Sequence, residues 1–262
     1  MMVLLLYVGL GLLVGLLAGL LGTGGGIITV PALFLIFEYF HFPYEYSMHL
    51  ATGTSLACMV ISTAGSTWVH NKKQAIQWKV WRTTMPGIVI GAPLGVFLAQ
   101  NLSTDVLKRF FGVFLILVAL KFLMPEKKPI EIIPKKPLFY GIAGGIMGFL
   151  SGALGIGGAT FMVPVLLWTG FSMKESSATT AACIWPMAVL GTVMQIVLGS
   201  SKAVVLPPDS WGFVYWPAAF GIGVASLLSA PLGVFLAHHL SSRTLKVIFS
   251  AICLITAGKM VL

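Results

Sequence analysis

Residues 92–99 read APLGVFLA, and residues 230–237 read APLGVFLA again, at an offset of 138 residues (230 − 92). A second pair lies near the start of each half, where residues 15–31 (GLLAGLLGTGGGIITVP) align with residues 148–164 (GFLSGALGIGGATFMVP) at an offset of 133 (148 − 15). The chain is therefore predicted to contain two homologous repeats. A duplicated bundle with a glycine break near the start of each copy is the pattern of a secondary transporter, in which substrate lies between the repeats.

The composition predicts an all-α integral membrane protein. Hydrophobic residues make up 58% of the 262 residues and charged residues only 9%, whereas soluble domains contain about 25% charged residues. The first apolar run, residues 3–21, contains no basic residue and no cleavage site, so we predict a retained helix rather than a signal peptide. The net charge of +9 does not indicate nucleic-acid binding, because the basic residues gather in loops beside apolar spans.

Ten apolar segments can be drawn, five in each repeat. They are residues 3–21, 27–40, 49–70, 83–100, 107–124, 138–154, 159–170, 177–199, 211–238 and 243–262. We predict a first membrane repeat over residues 1–124 and a second over residues 138–262. The linker between them, residues 125–137 (PEKKPIEIIPKKP), is predicted to be basic and cytoplasmic.

The number of crossings in each repeat decides how the repeats are related. Five crossings would invert the second repeat relative to the first, and four would leave the two parallel. Charge bias does not separate these alternatives, because both put most basic residues on one side. We prefer five plus five, since residues 3–40 as one helix would be about 57 Å long, more than a bilayer requires.

Each repeat contains a glycine-rich break after its first apolar segment. Such runs are too costly for a helix interior, and irregular backbone at membrane depth must be buried or line a cavity. Backbone amides and the N-terminus of the next helix can then approach an anion directly. The predicted binding glycines, with the one threonine among them, are Gly22, Thr23, Gly24, Gly25 and Gly26 in the first repeat and Gly155, Gly157 and Gly158 in the second.

A set of hydroxyl residues follows the same duplication. Residues 51–55 (ATGTS) align with residues 178–182 (ATTAA) at an offset of 127 (178 − 51). Hydroxyls donate to an anionic oxygen without adding negative charge. The predicted binding hydroxyls are Thr52 and Thr179, which occupy equivalent positions and are preferred, and Thr54, Ser55 and Thr180, where small residues that allow close helix packing are an equal alternative.

The sequence offers few of the residues that an enzyme or a channel would need. All seven acidic residues fall at segment ends or in loops, which leaves no mid-membrane carboxylate for a proton relay. We predict no catalytic residue, no metal site and no cofactor, since an intramembrane enzyme would need a nucleophile with its base or a set of metal ligands. An anion channel remains the alternative, but it would need a polar lining across the whole span.

At these residues the chain resembles the sulfite exporter TauE/SafE family over essentially its whole length. The features that carry the resemblance are the paired glycine motifs, the ATGTS segment, the loop over residues 70–78 (HNKKQAIQW) and the doubled APLGVFLA. The resemblance implies a multi-pass carrier of small sulfur oxyanions or organosulfonates in the inner (plasma) membrane. Its expected partners are the lipid bilayer and a small anionic substrate, not nucleic acid, and a homodimer is left open. Because Thr23 and Gly26 are replaced by Ile156 and Ala159 in the second copy, the more polar first loop is expected to contact the ligand.

Overall fold

The described part of the chain is almost entirely helical. The computed structural model describes residues 2–21, 25–123, 136–202, 206–237 and 242–261. Their helices are α1 (Met2–Leu21), α2 (Gly26–Tyr39), α3 (Tyr44–Lys72), α4 (Trp78–Gln100), α5 (Thr104–Leu123), α6 (Pro137–Leu154), α7 (Ala159–Trp168), α8 (Met173–Ser200), α9 (Trp216–Ala237) and α10 (Ser242–Val261). A short antiparallel hairpin, β1 (Ser210–Trp211) and β2 (Val214–Tyr215), precedes α9. The predicted all-helical fold is thus confirmed, with one helix for each of the ten apolar segments. The predicted linker lies outside the described residues, apart from its last two positions.

Five of these helices are long and apolar enough to cross a membrane. The spans are Val3–Leu20, Trp78–Gln100, Pro137–Leu154, Met173–Ser200 and Trp216–Gly233. Large apolar side chains cover the outside of the bundle, as at Leu5, Ile90 and Phe97, which is the surface expected where the surrounding solvent is lipid. The chain is a multi-pass membrane protein.

Two ends of the bundle can be distinguished by their loops. The basic end contains the last residues of α3 and the first of α8, and Gln77 in the loop after α3 donates hydrogen bonds to Thr179 and Glu175 of α8. It carries Lys72, Lys73, Lys79 and Lys174. The hairpin end contains β1, β2, the start of α3 and the end of α4, where Lys202 donates to the Gln100 carbonyl at 2.7 Å.

Two pairs of helices run parallel and pack closely through glycines. On α1, Gly11 contacts Ile222 of α9 and Gly15 contacts Ser226 one turn later, so both helices run in the same direction. On α6, Gly144 contacts Thr84 of α4 and Gly148 contacts Ile88, again one turn later. Small residues let helix backbones approach in this way where lipid provides no hydrophobic driving force.

The longest helices, α3 and α8, cross the middle of the bundle in opposite directions. Near the hairpin end Thr52 of α3 contacts Gln195 of α8. Near the basic end the loop after α3 contacts Thr179, sixteen residues earlier on α8. Because α1 begins at the hairpin end and α6 at the basic end, these two helices enter the bundle from opposite sides.

Candidate functional site

The break between α6 and α7 is made of glycines in left-handed backbone. Helix α6 ends at Leu154 and α7 begins at Ala159. Between them Gly155, Gly157 and Gly158 have φ of 67°, 80° and 62°. Residues with a Cβ are strained in this region, so the local fold depends on glycine at these positions.

The corresponding segment of the first half is only partly described. Helix α1 ends at Leu21, and α2 begins at Gly26 after Gly25, whose φ is 81°. The predicted binding residues Gly22, Thr23 and Gly24 lie outside the described residues. Gly25 rests on α1, because a Cβ at this residue would lie 3.0 Å from Val14 and 3.6 Å from Ala18.

The two glycine segments touch each other inside the bundle. A Cβ on Gly26 would lie 2.5 Å from the carbonyl oxygen of Gly155 and 2.7 Å from the Cα of Ile156. Ser55 of α3 fixes the same loop by donating a hydrogen bond to the Gly155 carbonyl at 2.8 Å. The structure therefore brings Gly26, Gly155 and Ser55 of the predicted set together.

A cavity of about 360 Å³ lies beside this contact, on the side of the basic end. Its volume lies within the usual range of small-molecule sites. Helices α1, α2, α3, α7, α8 and α9 all contribute to its wall. The polar and glycine positions among its described lining residues are Gly15, Gly19, Gly25, Thr29, Ser62, Thr63, Ser66, His70, Ser177, Thr180 and Ser226. No Lys, Arg, Asp or Glu belongs to this described lining, so its polarity comes from hydroxyls, backbone and one imidazole.

Thr180 is the residue of the predicted hydroxyl set that lines this cavity. Its side chain is buried, at 1% exposure, and its Oγ1 has no hydrogen-bond partner. Other lining hydroxyls are already committed to backbone, since Thr29 donates to Gly25 at 3.1 Å and Thr63 to Met59 at 2.6 Å. Thr180 can therefore donate to a ligand in the cavity without breaking an existing bond.

The other predicted hydroxyls join structural elements and do not line the cavity. Thr52 donates to the carbonyl of His49 at 2.9 Å. Thr54 accepts from the backbone of Tyr215 at 3.0 Å, and Thr179 accepts from the backbone of Gln77 at 2.9 Å. Their contribution to substrate binding stays a prediction.

A buried polar network closes the hairpin side of the glycine contact. Gln100 of α4 donates through Nε2 to Oε1 of Gln195 on α8 at 2.5 Å, and Gln195 in turn donates to Thr52 of α3 at 3.3 Å. His49 Nε2 lies 3.1 Å from the Ala99 carbonyl, which can only accept, so this nitrogen carries the proton. The network ties three helices together, and none of its residues is among the described residues that line the cavity.

Several cavity residues were not predicted from the sequence. On α3, Ser62, Ser66 and His70 recur every four residues, and on α8 Ser177 precedes Thr180 by three. Residues at these spacings share one helix face, so a hydroxyl stripe on α3 was the available signal. Thr29 gave no such signal, because the duplicated position is Met162 and its neighbours are apolar.

Comparison with known proteins gives relatives along nearly the whole chain. A probable membrane transporter protein of Haemophilus influenzae is 32% identical over 255 residues, covering 96% of both chains. Another of Methanocaldococcus jannaschii is 29% identical over 248 residues, covering 92% of this chain and 89% of the relative. A third, YunE of Bacillus subtilis, is 28% identical over 225 residues, covering 77% of this chain and 82% of the relative. No solved structure matches the chain significantly.

The family comparison agrees with the helical membrane fold and with these relatives. The family described as sulfite exporter TauE/SafE matches residues 7–260, which include both glycine segments and all ten helices except the ends of α1 and α10. Multi-pass architecture and transporter relatives lead to one assignment: the chain is a membrane transporter that belongs to the sulfite exporter TauE/SafE family.

Proposed function

We propose that this protein is a secondary transporter of small anions, with sulfite or organosulfonates as its substrates. The observation that carries the proposal is the cavity beside the two glycine segments, lined by Gly25 of the first half and by Ala159 and Thr180 of the second. The family description supports the choice of a sulfur oxyanion. A transport site of this kind also needs no catalytic group.

The chemistry of the cavity suits an anion held without a formal counter-charge. The N-terminal ends of α2 and α7 both border it, through Gly25 and Ala159. Helix N-termini carry partial positive charge and backbone N–H groups in excess of their helical partners. The hydroxyl of Thr180 adds a free donor that carries no charge. Together these groups can replace part of the hydration shell that an oxyanion loses on entering the protein.

We further propose that the two halves are inverted repeats. The close pairing of α1 with α9 has its counterpart in α6 with α4, and the contact residues Gly11 and Gly144 are separated by the same 133 residues as the two glycine motifs (144 − 11). Helices α1 and α6 begin at opposite ends of the bundle, as an in-plane pseudo-twofold axis requires. Alternating access would then follow from rocking the repeats around the central contact.

The basic end is assigned to the cytoplasm. Four lysines lie there at the ends of apolar helices, and short basic loops stay on the cytoplasmic side. The cavity extends toward this end through Ser66, His70 and Met173. The conformation described is accordingly an inward-facing one, in the inner (plasma) membrane.

Transport assays on two matched variants test the proposal. Thr180→Val and Thr192→Val change the same residue type on the same helix, and both hydroxyls are buried and unpartnered. Only Thr180 is among the residues that line the cavity. In proteoliposomes, Thr180→Val should raise the KM for sulfite or a sulfonate by roughly tenfold or more, as expected for a lost bond to a charged oxygen.

Thr192→Val should transport like the parent chain. Counterflow of labelled substrate should be seen with the parent, because a carrier exchanges substrate across the membrane whereas a channel does not. Equal KM values for the two variants would remove Thr180 from the site. Absence of saturable transport of any sulfur oxyanion or sulfonate by the parent would refute the proposed substrate class.

A further inference from the structure

The surroundings of Gly158 repeat those of Gly25. A Cβ on Gly158 would lie 2.5 Å from the Met147 side chain and 2.7 Å from the Ser151 Oγ. A Cβ on Gly25 would lie nearest to the side chains of Val14 and Ala18. All three pairs are separated by the same 133 residues that relate the two glycine motifs (158 − 25): Val14 and Met147, Ala18 and Ser151, Gly25 and Gly158.

One of these sets is open and the other is closed. Val14, Ala18 and Gly25 all line the cavity. Met147, Ser151 and Gly158 are not among the described residues that line the cavity, and all three are buried. The distances of Met147 and Ser151 from a Cβ on Gly158 are also shorter than those of the first set, so this side is packed shut.

The hydroxyl of Ser151 makes no hydrogen bond in its buried surroundings. Its Oγ is buried and has no hydrogen-bond partner, whereas most buried hydroxyls are paired. The counterpart residue, Ala18, has no polar atom, so the hydroxyl is not a requirement of packing at this position. A donor kept without a partner in the closed state is available to a ligand when this side opens.

We propose that Met147, Ser151 and Gly158 form a second wall of the substrate site, which opens toward the hairpin end. In that state the Ser151 hydroxyl donates a hydrogen bond to the anionic substrate. The proposal rests on the proposed function, since rocking of inverted repeats exchanges their conformations and makes the closed set the open one. It assigns to the second repeat the ligand contact that the sequence placed in the more polar first loop.

The hydrogen bonds of the polar network at the hairpin end must break before this side of the site can open. Thr52 belongs to the network and also contacts the α6–α7 loop, because a Cβ on Gly155 would lie 2.8 Å from the Thr52 carbonyl oxygen. The bonds from Gln100 to Gln195 and from Gln195 to Thr52 join α4, α8 and α3 across this region. Separation of these helices would expose Ser151 to the hairpin side.

Sided thiol labelling tests the proposal. Ser151→Cys and the matched Ala18→Cys are reconstituted in oriented proteoliposomes and treated with a membrane-impermeant maleimide from either face. Mass spectrometry of the peptide containing each position separates its labelling from that of the native cysteines. Position 151 should react from the hairpin face, faster while substrate is being transported, and position 18 should react from the basic face.

Transport by Ser151→Ala gives a second readout that does not depend on the cysteine variant. The KM for substrate presented at the hairpin face should rise by roughly tenfold, while the KM at the basic face stays within about twofold. A purely structural role would change both faces equally. An unreactive thiol at position 151 in an actively transporting protein, or equal KM changes at both faces, would overturn the proposal.

These outcomes are distinct from a failure of the proposed function. If the parent chain transports no sulfite or sulfonate, the substrate class is wrong. Labelling of position 151 from the hairpin face would still support the second wall, and labelling only from the basic face would still refute it.

Discussion

Adding one methyl group at Gly26 tests the contact between the two glycine segments. Gly26 lies in helical backbone at the start of α2, so alanine is conformationally allowed there. Its Cβ, however, would lie 2.5 Å from the Gly155 oxygen and 2.7 Å from the Ile156 Cα, and both are backbone atoms. The segments would have to separate by about 0.5 Å to bring the Cβ beyond the roughly 3.0 Å limit of real contacts. Overpacking of this kind costs about 1–3 kcal/mol.

Helix propensity acts in the opposite direction. Alanine is favoured over glycine by up to about 1 kcal/mol in a helix interior, and by less at a helix start. The net loss at Gly26 should be about 1–2 kcal/mol, which corresponds to a fall in melting temperature of roughly 2–8 °C for a chain of this size. Transport should be reduced more strongly, because separation of the segments disturbs the wall of the cavity.

Gly9→Ala is the matched control. Gly9 lies in α1, and a Cβ there would meet nothing within 4 Å. Melting in detergent and transport in proteoliposomes are measured on the same preparations of both variants. Gly9→Ala should melt at or slightly above the parent temperature and transport normally. If Gly26→Ala gives the same result in both assays, the two glycine segments do not touch as described.

Three further outcomes are expected. Gly25→Ala and Gly158→Ala place a Cβ in left-handed backbone at a cost of about 1–2 kcal/mol; melting in detergent and transport in proteoliposomes should show folded protein that no longer transports, whereas a loss of stability well beyond this strain together with loss of transport would indicate packing alone. Ser55→Ala removes the bond to the α6–α7 loop, so the free energy of unfolding should fall by about 1–3 kcal/mol, measured by thermal melting with Ser62→Ala as an unbonded control. Lys73→Cys and Ser200→Cys occupy duplicated positions at opposite ends of the bundle and should be labelled from opposite membrane faces; labelling from one face would contradict inverted repeats.

The helix ends could be predicted from the sequence to within two residues, but the starts of α3, α4, α8 and α9 were misplaced by four or five residues. The segment predicted to begin at residue 211 was wrong in its first five residues, which belong to the hairpin before α9. Apolar run length identified the membrane class and all ten helices, because a lipid solvent selects long apolar segments. At the glycine runs, Gly155 follows the end of α6 and Gly25 and Gly158 directly precede α2 and α7, all three in left-handed backbone, which gives the physical reason for the helix boundaries at these described positions. Such local rules depend on residues close in the chain, so one sequence is enough to apply them.

The candidate site was predicted less completely. Gly25 and Thr180 line the cavity, whereas Thr52, Thr54 and Thr179 accept hydrogen bonds from Gln195, Tyr215 and Gln77. Residue type alone could not separate a hydroxyl that faces a cavity from one that accepts a backbone N–H. That difference depends on which helix packs alongside, and the partners are distant in sequence.

The amino-acid sequence by itself determined the membrane environment and the approximate extent of the helices, and it predicts the two repeats. Only the tertiary structure decided which residues line the cavity, that Gly26 meets Gly155, and that Gln100, Gln195 and Thr52 form a polar network at the hairpin end. The physical reason is the sequence distance over which each property is set. Helix formation and membrane partitioning depend on residues within one segment, whereas the cavity depends on how six helices from distant parts of the chain pack together. The space between helices that are distant in the chain cannot be read from the sequence of any one of them.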